Sequence, residues 1–319
     1  LTQSNLNIPK PRVSIIIATY NRKTFLQQAI ASVFKQTYQD FELIIVDDGS
    51  TDDTASMVAE FNDPRLHYIY QGNHGRSYAR NIALNLVKGE YIAFLDSDDL
   101  YLPHKLQLQV AYLDKHLKTG MIYTSAQCID EHNHLLSHIY QATTSGHIYK
   151  KIAFFVPVTI TLPTVMLRKE ILLKVNGFDE KMVRFEDTDF WRRISKITRI
   201  DAIDNLTCQL RTHSDNHLLS QNPQQIVHSV HYYTRKILKE DKKYLSTFEL
   251  YRRLGGLYHY YASALLSVPG WEPLGYKLLK RAYFYWPLYK ISKRKIASYC
   301  WQYLKKRIIR FGLRHSKVS

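Results

Sequence analysis

Three carboxylates, Asp96, Asp98 and Asp99, fall within four positions of YIAFLDSDDLYLP (91–103), where an apolar run gives way to a proline. Like charges that close repel one another unless a cation sits among them. The D-x-D pair Asp96 and Asp98 suits a hard divalent ion, Mg2+ or Mn2+, which takes oxygen ligands and keeps positions open for phosphate oxygens. A turn in which Asp99 caps a helix beginning near Tyr101-Leu102-Pro103 uses the same residues without a ligand. The spacing alone leaves both readings open.

Other stretches carry comparable chemistry. In Asp47-Asp48-Gly49-Ser50, Gly49 suits a turn and Ser50 or Thr51 a helix cap, while Asp48 can accept hydrogen bonds from a base N–H or ribose hydroxyls. Gly75, Arg76 and Arg80 open a helix whose N-terminus and guanidinium groups suit phosphate oxygens, with pairing of Arg80 to one of the aspartates as the alternative. Glu186 and Asp187 fall in the first turn of RFEDTDFWRRISKI (184–197), where they either stabilise the helix dipole or supply a base. His132, His134 and His138, with His147 nearby, lack a matching Cys and read as a solvated hairpin rather than a zinc site. His213 and His217 share the zincin spacing but not its Glu.

The elements that must position these residues repeat. RVSIIIATYN (12–21) has the length and β-branching of a strand covered on both faces, and TFLQQAIASVFKQT (24–37) follows as a helix capped by Thr24. FELIIVDDGSTDDTASMVAEF (41–61) repeats the unit, with a helix beginning after Ser50 or Thr51. RLHYIYQ (65–71), GRSYARNIALNLVKG (75–89) and YIAFLD (91–96) add strand, helix and strand. This alternation predicts an α/β fold with a doubly wound, mostly parallel sheet, in which ligands bind beyond the carboxyl ends of the strands. Thr19-Tyr20-Asn21, Asp47-Asp48 and Asp96-Asp98-Asp99 all lie at such ends and converge on one crevice.

A chain of 319 residues, 45% hydrophobic, can bury a large core. It has no uncharged apolar run of the roughly 18 residues a spanning helix needs, and LTQSNLNIPKPR (1–12) has no secretory apolar segment, so a cytoplasmic location is expected. Cys128, Cys208 and Cys300 are too scattered for a disulfide framework or thiolate metal site. The net charge of +16 is confined to one end: residues 231–319 hold 20 Lys and Arg against 4 Asp and Glu, leaving 24 of each before them. These features divide the chain into an arm (1–11), a catalytic domain (12–225) and a helical, basic, aromatic-rich extension (226–319).

VSIIIATYNR, ELIIVDDGSTDDT, GRSYARNIALNLVKGEYIAFLDSDD, VNGFDE and FEDTDFWRRI, in that order, resemble the family-2 glycosyltransferases. These are inverting enzymes with the nucleotide-diphospho-sugar transferase (GT-A) fold, and the resemblance covers about residues 12–215. It implies that Asp48 holds the base or ribose and that Ala18, Thr19 and Tyr20 surround the nucleoside. Gly75, Arg76 and Arg80 remain the residues expected to face the phosphates, Ser97 is expected beside the donor, and Asp96 is expected to help hold ribose, metal or water. It further implies Mn2+ or Mg2+ bound by Asp98, with Asp96 and His213 beside it, a general base at Asp187 next to Glu186, and acceptor specificity from about 126–182.

The implied donor is a nucleotide-diphosphate sugar, by resemblance UDP-linked. Aromatic and basic residues in YKLLKRAYFYWPLYKISKRKIASYCWQYLKKRIIRFGLRHSKVS (276–319) suit an anionic membrane surface, where lipid-linked or cell-surface glycan acceptors reside. A helical cap on the catalytic domain is the alternative role for this segment. The expected location is therefore peripheral, on the inner face of the cytoplasmic membrane. A catalytically silent sugar-nucleotide-binding scaffold is the competing function. Nucleic-acid binding by the basic segment does not account for the clustered strand-end motifs.

Overall fold

The computed structural model describes residues 10–154, 160–213 and 222–287. Its first half alternates without interruption: β1 (Val13–Thr19), α1 (Lys23–Phe34), β2 (Phe41–Asp47), α2 (Thr54–Ala59), β3 (Leu66–Tyr70), α3 (Arg76–Leu86) and β4 (Tyr91–Phe94). There follow β5 (Leu100–Tyr101), α4 (Lys105–Lys115), β6 (Thr119–Ile129), β7 (Leu135–Tyr140) and α5 (Tyr149–Ile152). A 3-10 turn at Leu162–Thr164, β8 (Val165–Arg168), α6 (Lys169–Leu172), α7 (Glu186–Ile194) and β9 (Arg199–Arg211) come next. Three longer helices end the described chain: α8 (Pro223–Glu240), α9 (Thr247–Leu266) and α10 (Glu272–Tyr285).

The strands form one mixed sheet in the order β3-β2-β1-β4-β8-β6-β9-β5, with β7 added to β6. β1 to β4 are parallel, and β8 runs antiparallel to both β4 and β6. Because side chains alternate along a strand, Val13, Ile15 and Ile17 face Leu26, Ile30 and Val33 of α1 and Leu106 of α4. On the other face, Ile16, Ile44 and Val46 meet Ala79 and Ala83 of α3 and Phe190 and Ile194 of α7. Each such Ile or Val contributes about 1.5–3 kcal/mol on burial. The paired strand ends are thereby fixed at one edge.

Local details depart from the sequence expectations for identifiable reasons. α1 starts at Lys23, not after a Thr24 cap, because the Lys23 N–H donates to Asp52 Oδ2 of the neighbouring loop at 3.2 Å. α2 starts at Thr54, since the Ser50 hydroxyl is taken up accepting from the Asn21 N–H at 2.8 Å. No helix begins at Tyr101: Leu100 and Tyr101 pair with β9, Asp99 accepts the Arg211 N–H at 2.7 Å, and α4 waits until Lys105. β9 is obscured in sequence by its acidic residues, of which Asp201 accepts from Thr119 Oγ1 and Asp204 from Ser125 Oγ, both at 2.6 Å.

Gly49 turns the chain after β2 with φ +88°, and a Cβ there would stand 2.9 Å from the Asn73 nitrogen. Only glycine takes that conformation at so close an approach without strain. It therefore fixes where Asp48 points.

The described chain divides after Asp241 into two compact units. The division puts α8 with the first unit, where the Tyr233 hydroxyl donates to the Ala153 carbonyl at 2.9 Å; the sequence boundary at 225/226 falls near the start of this helix. In the second unit α9 and α10 pack together, and at Gly255 a Cβ would lie 2.5 Å from Cβ of Trp286. Among the described residues, no helix is long and apolar enough to cross a membrane. Residues 288–319, which hold most of the basic segment, lie outside the described residues.

Candidate active site

At the carboxyl ends of the parallel strands the first unit opens a cleft of about 1000 Å3. Ala18, Thr19 and Tyr20 after β1, Asp48 after β2, and Asp96, Ser97 and Asp98 after β4 line it, as do Arg76, Arg80, Glu186 and Asp187. The three strand-end clusters expected to converge do so. Thr19 Oγ1 is buried in this lining without a hydrogen-bond partner, an arrangement that favours a ligand with a polar atom at that point.

Asp48 is held firmly. Its Oδ1 accepts from Gln71 Nε2 at 2.7 Å and the His74 N–H at 2.9 Å, and its Oδ2 accepts the Gly75 N–H at 2.7 Å. A carboxylate offers about four acceptor positions, so one remains for a base or ribose. Gly75 itself does not line the cleft; with φ +93° it ties the start of α3 to Asp48.

The carboxylates at the floor are interleaved with guanidinium groups. Arg80, buried, bridges Asp96 Oδ1 at 2.7 Å and Glu186 Oε1 at 3.1 Å, and Arg76 Nε adds a contact to Glu186 at 2.7 Å. Both arginines, expected to face phosphates, are thus engaged by carboxylates. The adjacent acids are driven apart: burial opposes ionisation of Glu186, but Arg76 and Arg80 outweigh it and lower its pKa. Asp187 has its carboxyl pushed up to about 6 by burial and by the neighbouring Glu186 charge. The two neighbouring carboxyls thus have opposed shifts: Glu186 is held ionised by the arginines, and Asp187 can take up a proton near neutral pH.

Phe185, immediately before this pair, is left-handed at φ +66°. An aromatic residue rarely adopts that conformation, which costs roughly 1–2 kcal/mol. It turns the chain into α7 so that Glu186 and Asp187 both reach the cleft, while the Asp189 N–H returns to the Phe185 carbonyl at 2.7 Å. No sequence signal announces this turn.

Burial and then the Asp98 charge raise the pKa of Asp99, which also accepts the Arg211 N–H, and burial against the pull of Arg80 raises that of Asp96. His213 is buried with Nε2 2.8 Å from Asp98 Oδ2, and Arg22 Nη1 touches the same two atoms at 2.8 and 3.1 Å. One imidazole nitrogen cannot both accept from Arg22 and donate to Asp98. Asp98 and His213, with Asp96 near them, are the residues that could hold a divalent ion, while among the described residues no group of three or more His, Cys, Asp or Glu is arranged as a metal site.

Comparison with known proteins identifies the family. The family model described as "Glycosyl transferase family 2" matches residues 14–175. The chain belongs to glycosyl transferase family 2.

Among family-2 relatives, the uncharacterized glycosyltransferase MJ1057 of Methanocaldococcus jannaschii is 33% identical over 241 residues, covering 74% of this chain and 82% of that protein. The Escherichia coli UDP-Glc:alpha-D-GlcNAc-diphosphoundecaprenol beta-1,3-glucosyltransferase WfgD is 34% identical over 194 residues, 60% of this chain and 73% of WfgD. An uncharacterized glycosyltransferase of Rickettsia bellii is 36% identical over 206 residues; these make up 64% of this chain but 29% of that longer relative. In fold, the family-2 chain is similar to Staphylococcus aureus TarS 1-349 in complex with UDP, with a TM-score of 0.65 at 21% identity over 86% of this chain and 81% of that one. The GT-A fold of the family-2 enzymes is the fold of this chain.

Some lining residues were not singled out from sequence: Arg22, Thr161, Phe185, Trp191 and, on β7, Leu136 and Tyr140. Arg22 directly follows the Thr19-Tyr20-Asn21 cluster, which is the one local hint of its role. The histidines do not assemble: His134 bonds Asp130 at 3.0 Å, whereas His138 packs edge-on against Tyr140. His217 lies outside the described residues.

Proposed function

We propose that this protein moves a sugar from a nucleotide-diphosphate sugar, UDP-linked, to a hydroxyl of a lipid-linked or cell-surface glycan by a single inverting displacement. The observation that carries this reading is Asp187, a cleft carboxyl pushed up to about 6 beside a Glu186 held ionised by two arginines. In this reading Asp187 takes the acceptor hydroxyl proton as that oxygen bonds to the anomeric carbon, and the bond from that carbon to the diphosphate breaks with its electron pair leaving on phosphate. Tyr20, Thr19 and Asp48 hold the nucleoside, and Arg76 and Arg80, linked through Glu186, face the phosphates. Asp98 and His213, with Asp96, would hold Mn2+ or Mg2+, which when bound neutralises charge on the leaving diphosphate. The name of WfgD, a UDP-glucose enzyme acting on a diphosphoundecaprenol-linked sugar, supports the donor and acceptor classes.

Thermal shifts with UDP, GDP, CMP and dTDP, each with and without Mn2+, test the donor site. UDP with Mn2+ is expected to stabilise the wild type by about 2.7 kcal/mol at a hundredfold excess over its Kd. Asp98→Asn is expected to lose the metal-dependent part. The reading fails if no nucleotide stabilises a folded sample.

The peripheral location also belongs to this proposal. On α10 the exposed residues Pro273, Lys277, Lys280, Arg281 and Phe284 recur at helical spacing on one side, the composition of a face that meets an anionic leaflet. Each surface Lys or Arg contributes about 1 kcal/mol to such binding. Changing Lys277, Lys280 and Arg281 together to Glu is expected to weaken co-sedimentation of the full chain with phosphatidylserine vesicles. Unchanged sedimentation would count against docking through this helix.

A further inference from the structure

The cleft extends past Asp187 to a wall that no donor contact explains. On β7, Leu136, His138 and Tyr140 line the cleft, every second residue of the strand, as expected when one face of a hairpin is turned toward a cavity. Leu136 and Tyr140 are seated on the hydrophobic core, which fixes the strand, and the His138 and Tyr140 rings meet edge-on at 4.5 Å and 89°. Ile160 and Leu162 add apolar surface to the same lining. Besides the Tyr140 hydroxyl and the His138 imidazole, two unpartnered polar atoms interrupt it. Trp191 lines the cleft with its indole N–H buried and unpartnered, and Thr161 has its hydroxyl in the same condition.

An unpartnered buried N–H or hydroxyl costs about 1–3 kcal/mol, which a ligand atom in the cleft would recover. Trp191 follows Asp187 by four positions on α7, so the two side chains lie on one helix face with Cβ atoms about 6 Å apart. That separation is close to the span of a sugar ring. A surface of aliphatic and aromatic groups broken by single hydrogen-bonding atoms matches a pyranose, whose C–H face is apolar and whose rim is hydroxylated. A polyol phosphate would draw on Arg184, which also lines the cleft, and leave the aromatic pair uncovered, and a bare alkyl chain would leave both polar atoms unmatched.

We infer that this wall is the acceptor subsite and that it takes a neutral pyranose ring. Tyr140 and His138 cover the apolar face of the ring, and the Trp191 N–H and Thr161 hydroxyl read its hydroxyls while the attacking oxygen lies at Asp187. The inference rests on the transferase reading above and names the acceptor chemistry of the same site.

The test measures nucleotide release by the full-length protein with its donor, titrated with octyl β-D-glucoside, octyl β-D-galactoside and octyl N-acetyl-β-D-glucosaminide, and with glycerol 3-phosphate as the polyol phosphate. At least one pyranoside is expected to stimulate release saturably, and glycerol 3-phosphate is not. Tyr140→Ala and Trp191→Phe are each expected to raise the pyranoside KM about tenfold while leaving the donor KM within about twofold. Tyr140 is only half-buried at a strand on the sheet margin, so its truncation tests the wall even if the Trp191 variant folds poorly. Pyranoside KM unchanged in both variants overturns the wall alone, as does stimulation by glycerol 3-phosphate and no pyranoside. A folded wild type that binds no nucleotide and releases none overturns the transferase reading and the wall with it.

Discussion

Asp187→Asn is expected to lower turnover about a hundred- to ten-thousand-fold while leaving nucleotide affinity within about twofold. The amide keeps the size and the Glu186 environment but cannot take a proton. In the wild type, kcat/KM is expected to rise with pH and to reach half its plateau near the carboxyl's value of about 6; the variant lacks that limb. Stability should move the opposite way. A folded-state pKa raised above the unfolded value of 3.8 means that ionising Asp187 destabilises the fold as pH climbs from about 4 through about 6. Asp187→Asn is therefore expected to be more stable than wild type at pH 8, by up to about 3 kcal/mol, and no more stable at pH 4. Turnover above a tenth of wild type in this variant would move the base elsewhere, and a scaffold without catalysis would show no difference at all.

Arg192→Met is expected to destabilise the first unit by about 3 kcal/mol, with a fall in Tm of about 6–12 °C. Arg192 is fully buried on α7, joined to Asp189 at 2.7 Å, to both oxygens of Asp241 at 2.7 Å and to Glu240 at 2.6 Å. Removing it strands two buried carboxylates; Arg193 and Lys236 still reach Asp189 and Lys196 still reaches Asp241, which keeps the loss at the lower end for a broken buried pair. The same network shapes the acid limb. Burial opposes ionisation of Asp189, but Arg192, Arg193 and Lys236 outweigh it and bring the carboxyl down to about 2. Its contribution is complete above the unfolded value near 4 and is lost as pH falls through about 2, so the variant should unfold at higher pH than wild type. A change in Tm below about 2 °C would show that the remaining cations suffice.

The doubly wound half of the fold was legible because each strand is a β-branched run closed by turn residues, as in Ile15-Ile16-Ile17 and Ile44-Ile45-Val46. Strand ends gather ligand-binding groups in such folds, so Tyr20, Asp48 and Asp98 are legible there, whereas Asp187, in the first turn of a helix, is named only by the family resemblance. Contacts between distant segments carry no local signal. Arg22, Asp98 and His213 meet across separations of 76 to 191 positions, and β5 forms only because β9 is beside it. The left-handed Phe185 is equally silent, since an aromatic residue carries no preference of its own for that conformation. His132, His134 and His138 read as a solvated hairpin for want of a matching Cys, and only the every-second-residue placement of Leu136, His138 and Tyr140 in the cleft lining separates that reading from a side of the cleft.

The most direct test of the central claim is the anomeric configuration of the first product, followed by proton NMR with the wild-type protein, Mn2+, an α-linked UDP-sugar and the octyl pyranosides. The account predicts a β-linked product, formed with wild type and absent with Asp187→Asn. An α-linked product, or a donor left intact by folded protein that binds the nucleotide, would contradict it.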